Sequence, residues 1–437
     1  MTDFTHQRVL VVGAGKSGLA AAKFLRERGA EVVISDNRPQ PTQTDFPQTG
    51  QSETDSDGFD LIIQSPGVPL ELPLFERARA RGARIIGEIE LAAAELQGHV
   101  IGVTGANGKT TTTALIGHIF QHAGRPTLVG GNIGIPVTDL VAQSTPDTTV
   151  VLELSSFQLE TAEKFQAEIA LVLNITPDHL DRHHTIDRYI DAKARLIETQ
   201  TAEGYTILNA AEPNARALAT RTKAKVIWFN LATPTANGVA SASNQIWLGE
   251  ASLMPESEIP LPGRHNVENV MAAAAAAWLS GIEPARIAEA IKTFPGVEHR
   301  IEFVRELDGV RYYNDSKATN VDAAEKAIDA FPGALWIILG GKDKYSDYRP
   351  LAPRVAQKAK GILLIGAAAP IIRQHLSEVS ASLPLTDCDT LEVAIRTARR
   401  LAAPGDIVLL SPACASFDQY QSYEHRGRSF KDLVRSL

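Results

Sequence analysis

Cysteine is nearly missing from this sequence: Cys388 and Cys414 are the two in 437 residues, far apart and without metal-site spacing. That excludes a disulfide framework and suits a reduced, cytoplasmic protein. A basic cluster is also missing, and aromatic residues do not interleave with basic ones. With a net charge of −8, a nucleic-acid surface is not expected. No apolar run reaches membrane-spanning length. Residues 271–279 read as an Ala-rich helix, and 361–372 as a strand ending in a Gly/Ala/Pro loop. At the N-terminus, 9–12 is a strand-sized run leading directly into a Gly turn, so no signal peptide is expected. Internal repeats and low-complexity tails are absent too.

What is present is a globular composition, 44% hydrophobic and 22% charged, in a chain too long for one core. Strands alternate with helices throughout, the pattern of an α/β protein. The chain divides near residues 95 and 296 into three segments, 1–95, 96–296 and 297–437.

The richest stretch is Val100-Ile101-Gly102-Val103-Thr104-Gly105-Ala106-Asn107-Gly108-Lys109-Thr110-Thr111-Thr112. An apolar strand runs into a Gly-rich turn ending in Gly-Lys-Thr, and a helix follows over 111–120. Glycines let backbone N–H groups close on phosphate oxygens, the helix N-terminus favours anions, and Lys109 adds a point charge. Thr110 offers a hydroxyl to Mg²⁺. The spacing is not the standard one, which wants Gly at 103, where Val stands. The bland reading is a Gly-rich turn with an incidental lysine. The agreement of strand, loop, Lys and Thr run favours a nucleoside triphosphate site.

The first segment carries Gly13-Ala14-Gly15-Lys16-Ser17-Gly18 after the strand Arg8–Val12, then a helix over 19–28. A second strand, Glu31–Ser35, ends at Asp36, with Arg38 beyond. This is the dinucleotide-binding fingerprint, which alone would indicate NAD or FAD. The motif reports only an anion site at a helix N-terminus, so any diphosphate suits it. Asp36 as a solvated strand end is the alternative. A further strand leads to Ser65-Pro66-Gly67 at the same rim, and the polar stretch 40–57 reads as loop. Two nucleotide sites in one chain suit an ATP-driven enzyme acting on a nucleotide-linked substrate.

In the central segment, Gly130-Gly131-Asn132-Ile133-Gly134 is a turn after a short strand. The buried strand over 149–154 carries one carboxylate, Glu153. A lone buried Glu is costly unless it is paired or ligates a cation, so Mg²⁺ and an ion pair are its two readings. The strand over 169–173 runs to His179, where α/β sheets place ligands; a surface histidine is the alternative. Lys193, in the helix Ile186–Glu198, reads as one more exposed lysine. Asn209 ends a strand, and Asn266 and Asn269 share a face of the Ala-rich helix, either reading a base or capping. In the last segment the strand over 311–315 precedes Ser316-Lys317-Ala318-Thr319-Asn320, which opens a helix and makes another anion site. Further strands cover 335–339, 362–365 and 406–410. Cys414 reads as a packed residue, because no partnered histidine marks a nucleophile.

Thr104-Gly105-Ala106-Asn107-Gly108-Lys109-Thr110-Thr111 resembles the ATP motif of the Mur ligases, which build the peptidoglycan stem peptide. Glu153-Leu154-Ser155-Ser156-Phe157-Gln158, Asn174-Ile175-Thr176-Pro177-Asp178-His179-Leu180-Asp181-Arg182 and Gly263-Arg264-His265-Asn266 agree with it. Asn314-Asp315-Ser316-Lys317-Ala318-Thr319-Asn320 and Ser411-Pro412-Ala413-Cys414-Ala415-Ser416 are similar to the branch that adds D-glutamate. The resemblance covers nearly the whole chain except 40–57 and 232–259.

It implies an α/β protein of three domains: a Rossmann-like UDP-substrate domain, a central P-loop-type ATPase domain with a mostly parallel sheet, and a Rossmann-like C-terminal domain for the amino acid. Gly15, Lys16 and Ser17 would hold the uridine diphosphate, with Asp36, Arg38, Ser65 and Gly67 around it and no NAD. Asn132 and His179 would meet the muramoyl-alanine end, and Gln158 would also bind the UDP substrate. Gly105, Asn107, Gly108, Lys109, Thr110 and Thr111 would hold ATP, joined by Asn266, Asn269, Arg300 and Asp315. Thr110 and Glu153 would bind one Mg²⁺ and His179 a second. Lys193 aligns with the family's carbamylated lysine, an anionic ligand in place of a cation. Lys317, Thr319, Lys344, Ser416 and Tyr423 would form the D-glutamate pocket. The substrates would be UDP-N-acetylmuramoyl-L-alanine, D-glutamate and ATP, bound by a cytoplasmic monomer with closure before chemistry. The rivals are a sister ligase for another amino acid, an NAD- or FAD-dependent oxidoreductase, and a non-catalytic nucleotide-binding regulator.

Overall fold

The computed structural model describes residues 3–37, 44–343, 346–380 and 382–437. The backbone packs as two compact units, Met1–Glu258 with Glu268–Phe294, and Ile259–Val267 with Pro295–Leu437. The described strands form three sheets, mostly parallel and interleaved with helices.

In the first unit, β1 (Arg8–Val12), β2 (Glu31–Ser35), β3 (Gln48–Thr49), β4 (Leu61–Gln64) and β5 (Arg84–Gly87) make one sheet. Its order is β3-β2-β1-β4-β5, all parallel. The run Val9, Leu10, Val11 and Val12 is fully buried, as a parallel strand covered on both faces requires. The described part of 40–57 is not all loop: it holds β3 and a 3-10 turn, Glu53–Ser56, closed by a Ser52–Asp55 capping box. A two-residue strand is too short for periodicity to register.

The second sheet holds β6 (His99–Thr104), β7 (Thr127–Gly131), β8 (Thr149–Glu153), β9 (Ile169–Val172), β10 (Tyr205–Asn209) and β11 (Lys225–Leu231). It continues through β12 (Gly238–Ala242), β13 (Gln245–Leu248) and β14 (Ala251–Pro255), an antiparallel meander. The order is β14-β13-β12-β11-β10-β9-β6-β8-β7, with β6 between β8 and β9. The phosphate-loop candidate therefore leaves the carboxyl end of an inner strand, where connections part to either side and ligands gather. Gly130 and Gly131, read as turn, belong to β7 itself.

The second unit has β15 (Glu302–Leu307), β16 (Val310–Asn314), β17 (Leu335–Gly340), β18 (Ala359–Ile365), β19 (Leu385–Asp389) and β20 (Ile407–Leu410). Their order is β15-β16-β20-β17-β18-β19, with β15 antiparallel at the edge. Two expectations fail here. The loop expected at the end of 361–372 is already helix from Ala369, because Pro370 sits in the first turn, where its missing N–H has no role. Residues 316–320 precede their helix, Val321–Asp329, with the Asn320 side chain capping it.

The helix Glu88–Ala93 directs two buried carboxylates at the surroundings of the second sheet. Glu90 accepts the backbone N–H groups of Glu163, Lys164 and Phe165 at 2.9–3.0 Å. Glu88 accepts the N–H and hydroxyl of Thr138 at 2.6 and 2.9 Å, and its other oxygen is buried without a partner. Burial pushes the Glu88 carboxyl up from 4.5 to about 7, against the Thr138 hydrogen bonds. The folded chain thus keeps a proton that the unfolded chain releases. Stability is lost as pH rises from about 4.5 to about 7, by roughly 3 kcal/mol, and the deficit persists above that window. Glu88→Gln is expected to melt a few degrees above the parent at about pH 8.5 and to lose that advantage at about pH 4.5. Calorimetry across pH tests this, and parallel profiles for the two proteins would refute it.

Candidate active site

β6 ends at Thr104, and the turn 105–108 feeds the helix Lys109–His122. Gly105 and Gly108 have φ of 151° and 86°, a region L side chains rarely adopt, and a Cβ at Gly108 would lie 2.3 Å from Asn269 Oδ1. The glycines are required here although their spacing is unusual. Asn174 braces the turn: its carbonyl accepts from Ala106 N and its Oδ1 from Asn107 N, at 2.9 and 2.8 Å, while Nδ2 donates to Asn107 O. In the sequence, the only sign of this role for Asn174 is an asparagine at a strand's carboxyl end. Lys109 Nζ donates to the carbonyls of Gly105 and Ala106, both at 2.9 Å. Thr110 and Thr111 are buried at the helix start, and Thr111 Oγ1 has no partner. The Asn269 amide faces this turn and accepts from Thr112 Oγ1 at 3.3 Å. Asn266, on the same helix Arg264–Leu279, donates to Pro262 O at 2.7 Å.

Glu153 ends β8 and is 2% exposed. Its Oε1 accepts from Asn132 Nδ2 at 2.8 Å, and its Oε2 is buried without a hydrogen-bond partner. Among the described residues no Lys, Arg or His side chain forms an ion pair with it, so its second oxygen is a buried acceptor left open.

Lys193 corrects the expectation of an exposed lysine, being 1% exposed. Its helix buries Tyr189, Ala192, Lys193, Leu196 and Ile197, so Lys193 occupies the apolar stripe, a periodicity that could have singled it out. Nζ donates to Gly105 O at 2.8 Å and stands 4.5 Å from the Tyr189 ring centroid. Burial, reinforced by Lys109, holds its pKa well below the ordinary lysine value, with Asp178 and Glu153 opposing.

His179 caps the short helix Leu180–His183 in a left-handed conformation, φ 53°, rather than sitting on the strand end. Its side chain is 48% exposed, 3.6 Å from the Asp178 carboxylate and edge-on to Phe157. His183, unnoticed in the sequence, is buried and bonded at Nε2 to Ser156 Oγ at 2.9 Å, with Glu160 3.3 Å from Nδ1. It ties the His179-bearing helix to the segment after Glu153.

A cavity of about 690 Å³ lies along the carboxyl ends of the first sheet. Gly15, Lys16, Ser17, Asp36, Ser65, Gly67, Asn132 and Gln158 line it; His179 does not. Asp36 is not a merely solvated end, since its carboxylate accepts from Ala14 N at 2.7 Å and tightens the glycine turn. Lys16 Nζ donates to Gly134 O across the cavity, and Gln158 closes a capping box with Ser155. Arg38 lies outside the described residues.

The second unit gathers its own candidates. Asp315 is buried, accepting from Ser411 Oγ at 2.9 Å and Ile301 N at 3.2 Å. Burial pushes its carboxyl up to about 7, while the neighbouring Arg300 pulls it down. Arg300 Nε is buried without a partner. Lys317 Nζ stands 5.8 Å from the Tyr423 ring centroid, Ser416 is buried, and Thr319 lies in the same turn as Lys317. Lys344 lies outside the described residues. Cys414 is packed against the Tyr348 hydroxyl at 3.0 Å, and burial pushes its thiol up to about 11. Arg426 was missed. It is 1% exposed and donates to Ser316 Oγ and to the carbonyls of Ser316, Cys414 and Ala415. An arginine on a polar helix gives no sequence sign of burial.

Among the described residues no helix is long and apolar enough to cross a membrane. Residues 7–87 match the Mur ligase MurD-like N-terminal domain, 103–277 the Mur ligase middle domain, and 299–414 the Mur ligase glutamate ligase domain. A UDP-N-acetylmuramoylalanine–D-glutamate ligase of Solibacter usitatus is 53% identical over 435 residues, 98% of each chain. One of Acidobacterium capsulatum is 49% identical over 99% of this chain and 97% of its own. Among solved structures, the UDP-N-acetylmuramate-alanine ligase of Thermotoga maritima aligns with a TM-score of 0.62 at 18% identity, over 99% of this chain and 100% of that one. A pseudomurein peptide ligase of Methanothermus fervidus aligns at 0.60, also 18% identical, over 99% and 100%. With full-length identity far above what a shared fold alone produces, the chain belongs to the Mur ligase family, on its UDP-N-acetylmuramoylalanine–D-glutamate ligase branch.

Proposed function

We propose that this chain joins the carboxylate of UDP-N-acetylmuramoyl-L-alanine to the amine of D-glutamate, driven by ATP, in peptidoglycan precursor synthesis. The observation that carries this reading is Asn132. It lines the cavity of the first glycine turn and donates to Glu153, whose field acts on Lys193 beside the phosphate loop. A nucleotide-linked substrate in that cavity has its far end at the phosphoryl donor. The acceptor comes from the names of the full-length relatives. The domains are then 1–95 for the UDP substrate, 96–296 for ATP and 297–437 for the amino acid. We read it as a cytoplasmic monomer, a location that suits nucleotide substrates.

A carboxylate does not condense with an amine directly, because oxide is a poor leaving group. The substrate carboxylate oxygen attacks the γ-phosphorus, the bond to ADP breaks, and an acyl phosphate forms. The unprotonated amine of D-glutamate then attacks the acyl carbon, phosphate leaves with the C–O bonding pair, and the nitrogen gives up a proton. Lys109 and the amides of Gly105 to Thr111 hold the ATP phosphates; Asn266, Asn269, Arg300 and Asp315 are read as further ATP contacts. Gly15, Lys16, Ser17, Asp36, Arg38, Ser65 and Gly67 hold the uridine diphosphate, Gln158 also binds the UDP substrate, and Asn132 and His179 meet the muramoyl end. Lys317, Thr319, Lys344, Ser416 and Tyr423 receive D-glutamate.

Mg²⁺ suits the donors present, since the unpartnered Glu153 oxygen and the Thr110 hydroxyl are hard oxygen ligands. No three acidic, His or Cys side chains gather among the described residues, so water and phosphate oxygens would complete its shell. A second ion would fall to His179 and the carbamate of Lys193. When bound, the metal neutralises charge on the transferred phosphoryl.

Phosphate release from ATP is expected to require both UDP-N-acetylmuramoyl-L-alanine and D-glutamate, with L-glutamate, L-lysine and diaminopimelate inactive. Release with another amino acid would move the error to the acceptor site. Silence with every acceptor would return the regulator and the oxidoreductase.

A further inference from the structure

Arg300 sits in a turn the backbone resists. His299 and Ile301, on either side, have φ of 66° and 42°. Positive φ is uncommon for histidine and an outlier for a β-branched residue, so the turn persists only where its surroundings over-determine it. Here they do. Glu302 Oε2 accepts from His299 N at 2.9 Å and from Asn314 Nδ2 at 3.0 Å, and Asn314 Nδ2 also meets His299 Nδ1 at 2.8 Å. Asp315 accepts from Ile301 N. The His299 carbonyl accepts from Lys317 N at 3.1 Å, so the turn also bears on the residue assigned to the acceptor pocket.

The last helix, Tyr423–Ser436, grips this turn from one face. Lys431, 8% exposed, donates to Glu298 at 2.5 Å and Glu302 at 3.0 Å, the acids bracketing the turn. Gly427 packs on the imidazole: a Cβ there would lie 2.3 Å from His299 Nδ1. The same helix carries Arg426 directly before Gly427 and Tyr423 one turn before it.

We propose that Lys431 and Gly427 are positioning residues for Arg300: from the last helix they hold the strained turn 299–301 and so aim the guanidinium. The proposal rests on the reading of Arg300 as an ATP-binding residue.

The test is steady-state kinetics on the full chain with Arg300→Ala, Lys431→Met, their combination, and Lys431→Arg. Lys431→Met is expected to lower kcat/KM for ATP about ten-fold while the KM for the UDP substrate stays within about two-fold. Lys431→Arg restores the charge and most of the loss. Because both changes act through one guanidinium, the double variant is expected to be no worse than Arg300→Ala alone. Gly427→Ala is expected to reproduce the ATP defect from the ring side, which keeps the test open if Lys431→Met does not fold. Losses that multiply in the double variant, or equal loss for all substrates with a lowered Tm, would overturn the positioning role and leave Arg300 intact as an ATP residue. Full activity in Arg300→Ala would overturn the reading of Arg300 and the proposal with it.

Discussion

Lys109→Ala is expected to lower kcat by about a thousand-fold or more while leaving equilibrium binding of the UDP substrate nearly unchanged. The two effects separate because the residues involved separate. The cavity for the nucleotide-linked substrate is walled by the turns after β1 and β4 and by the loop after β7, none of which uses Lys109. Lys109 instead lies along the turn after β6, its ammonium donating to two carbonyls of that turn. It is thus pre-aligned with the amides that would hold the phosphates, and its charge counts most as negative charge moves onto the transferred group. Glu153→Gln tests the same centre from the other side. It keeps the Asn132 contact geometry but replaces an unpartnered, buried carboxylate oxygen with an amide group, and a loss of about a hundred-fold or more is expected. Single-turnover phosphate release alongside calorimetric titration of the UDP substrate would separate chemistry from binding. A Lys109→Ala protein that still turned over at a tenth of the parental rate would remove Lys109 from the phosphoryl site.

What the sequence disclosed and what it hid follow a physical line. The strands around the sites were legible because parallel strands buried on both faces must be runs of apolar residues, as Val9 to Val12 and Val150 to Leu152 are. The two glycine turns were legible because only glycine tolerates the backbone they need, and Glu153 because a carboxylate ending a buried strand must find either a pairing cation or one to ligate. The missed residues are polar groups whose burial is decided by distant partners. Arg426 and Lys431 sit on a helix whose sequence looks solvent-facing; Arg426 bonds to the carbonyls of a loop just before the helix and to Ser316, 110 residues away, and Lys431 to acids 129 and 133 residues away. Glu88 and Glu90 begin a helix where acids are expected on dipole grounds alone, which hides their hold on Thr138 and on the amides of 163–165. His183 was masked by the more suggestive His179, four residues earlier. In each case the composition was visible and the pairing was not.

Lys193 carries the second large effect, and its environment separates two roles for it. As a permanent cation it would be buried beside another lysine, Lys109, in a pocket that already depresses its pKa, an arrangement that costs stability without an obvious return. As a neutral amine it is a nucleophile toward CO₂: the nitrogen forms a bond to carbon, loses a proton, and becomes an anionic carbamate able to face Lys109 and, with His179, to hold the second cation. Lys193→Gln, close in size and unable to form the carbamate, is expected to reduce kcat by about a hundred-fold or more, and Lys193→Arg to fare no better because it keeps the charge. The decisive comparison uses the unaltered protein. Exhaustive removal of CO₂ and bicarbonate is expected to depress its activity, and bicarbonate alone to restore it, whereas the Lys193→Gln protein responds to neither. If the native enzyme keeps full activity after CO₂ removal and Lys193→Arg is active, the side chain serves as a structural cation on the Gly105 carbonyl. The second metal position would then have to be built without it.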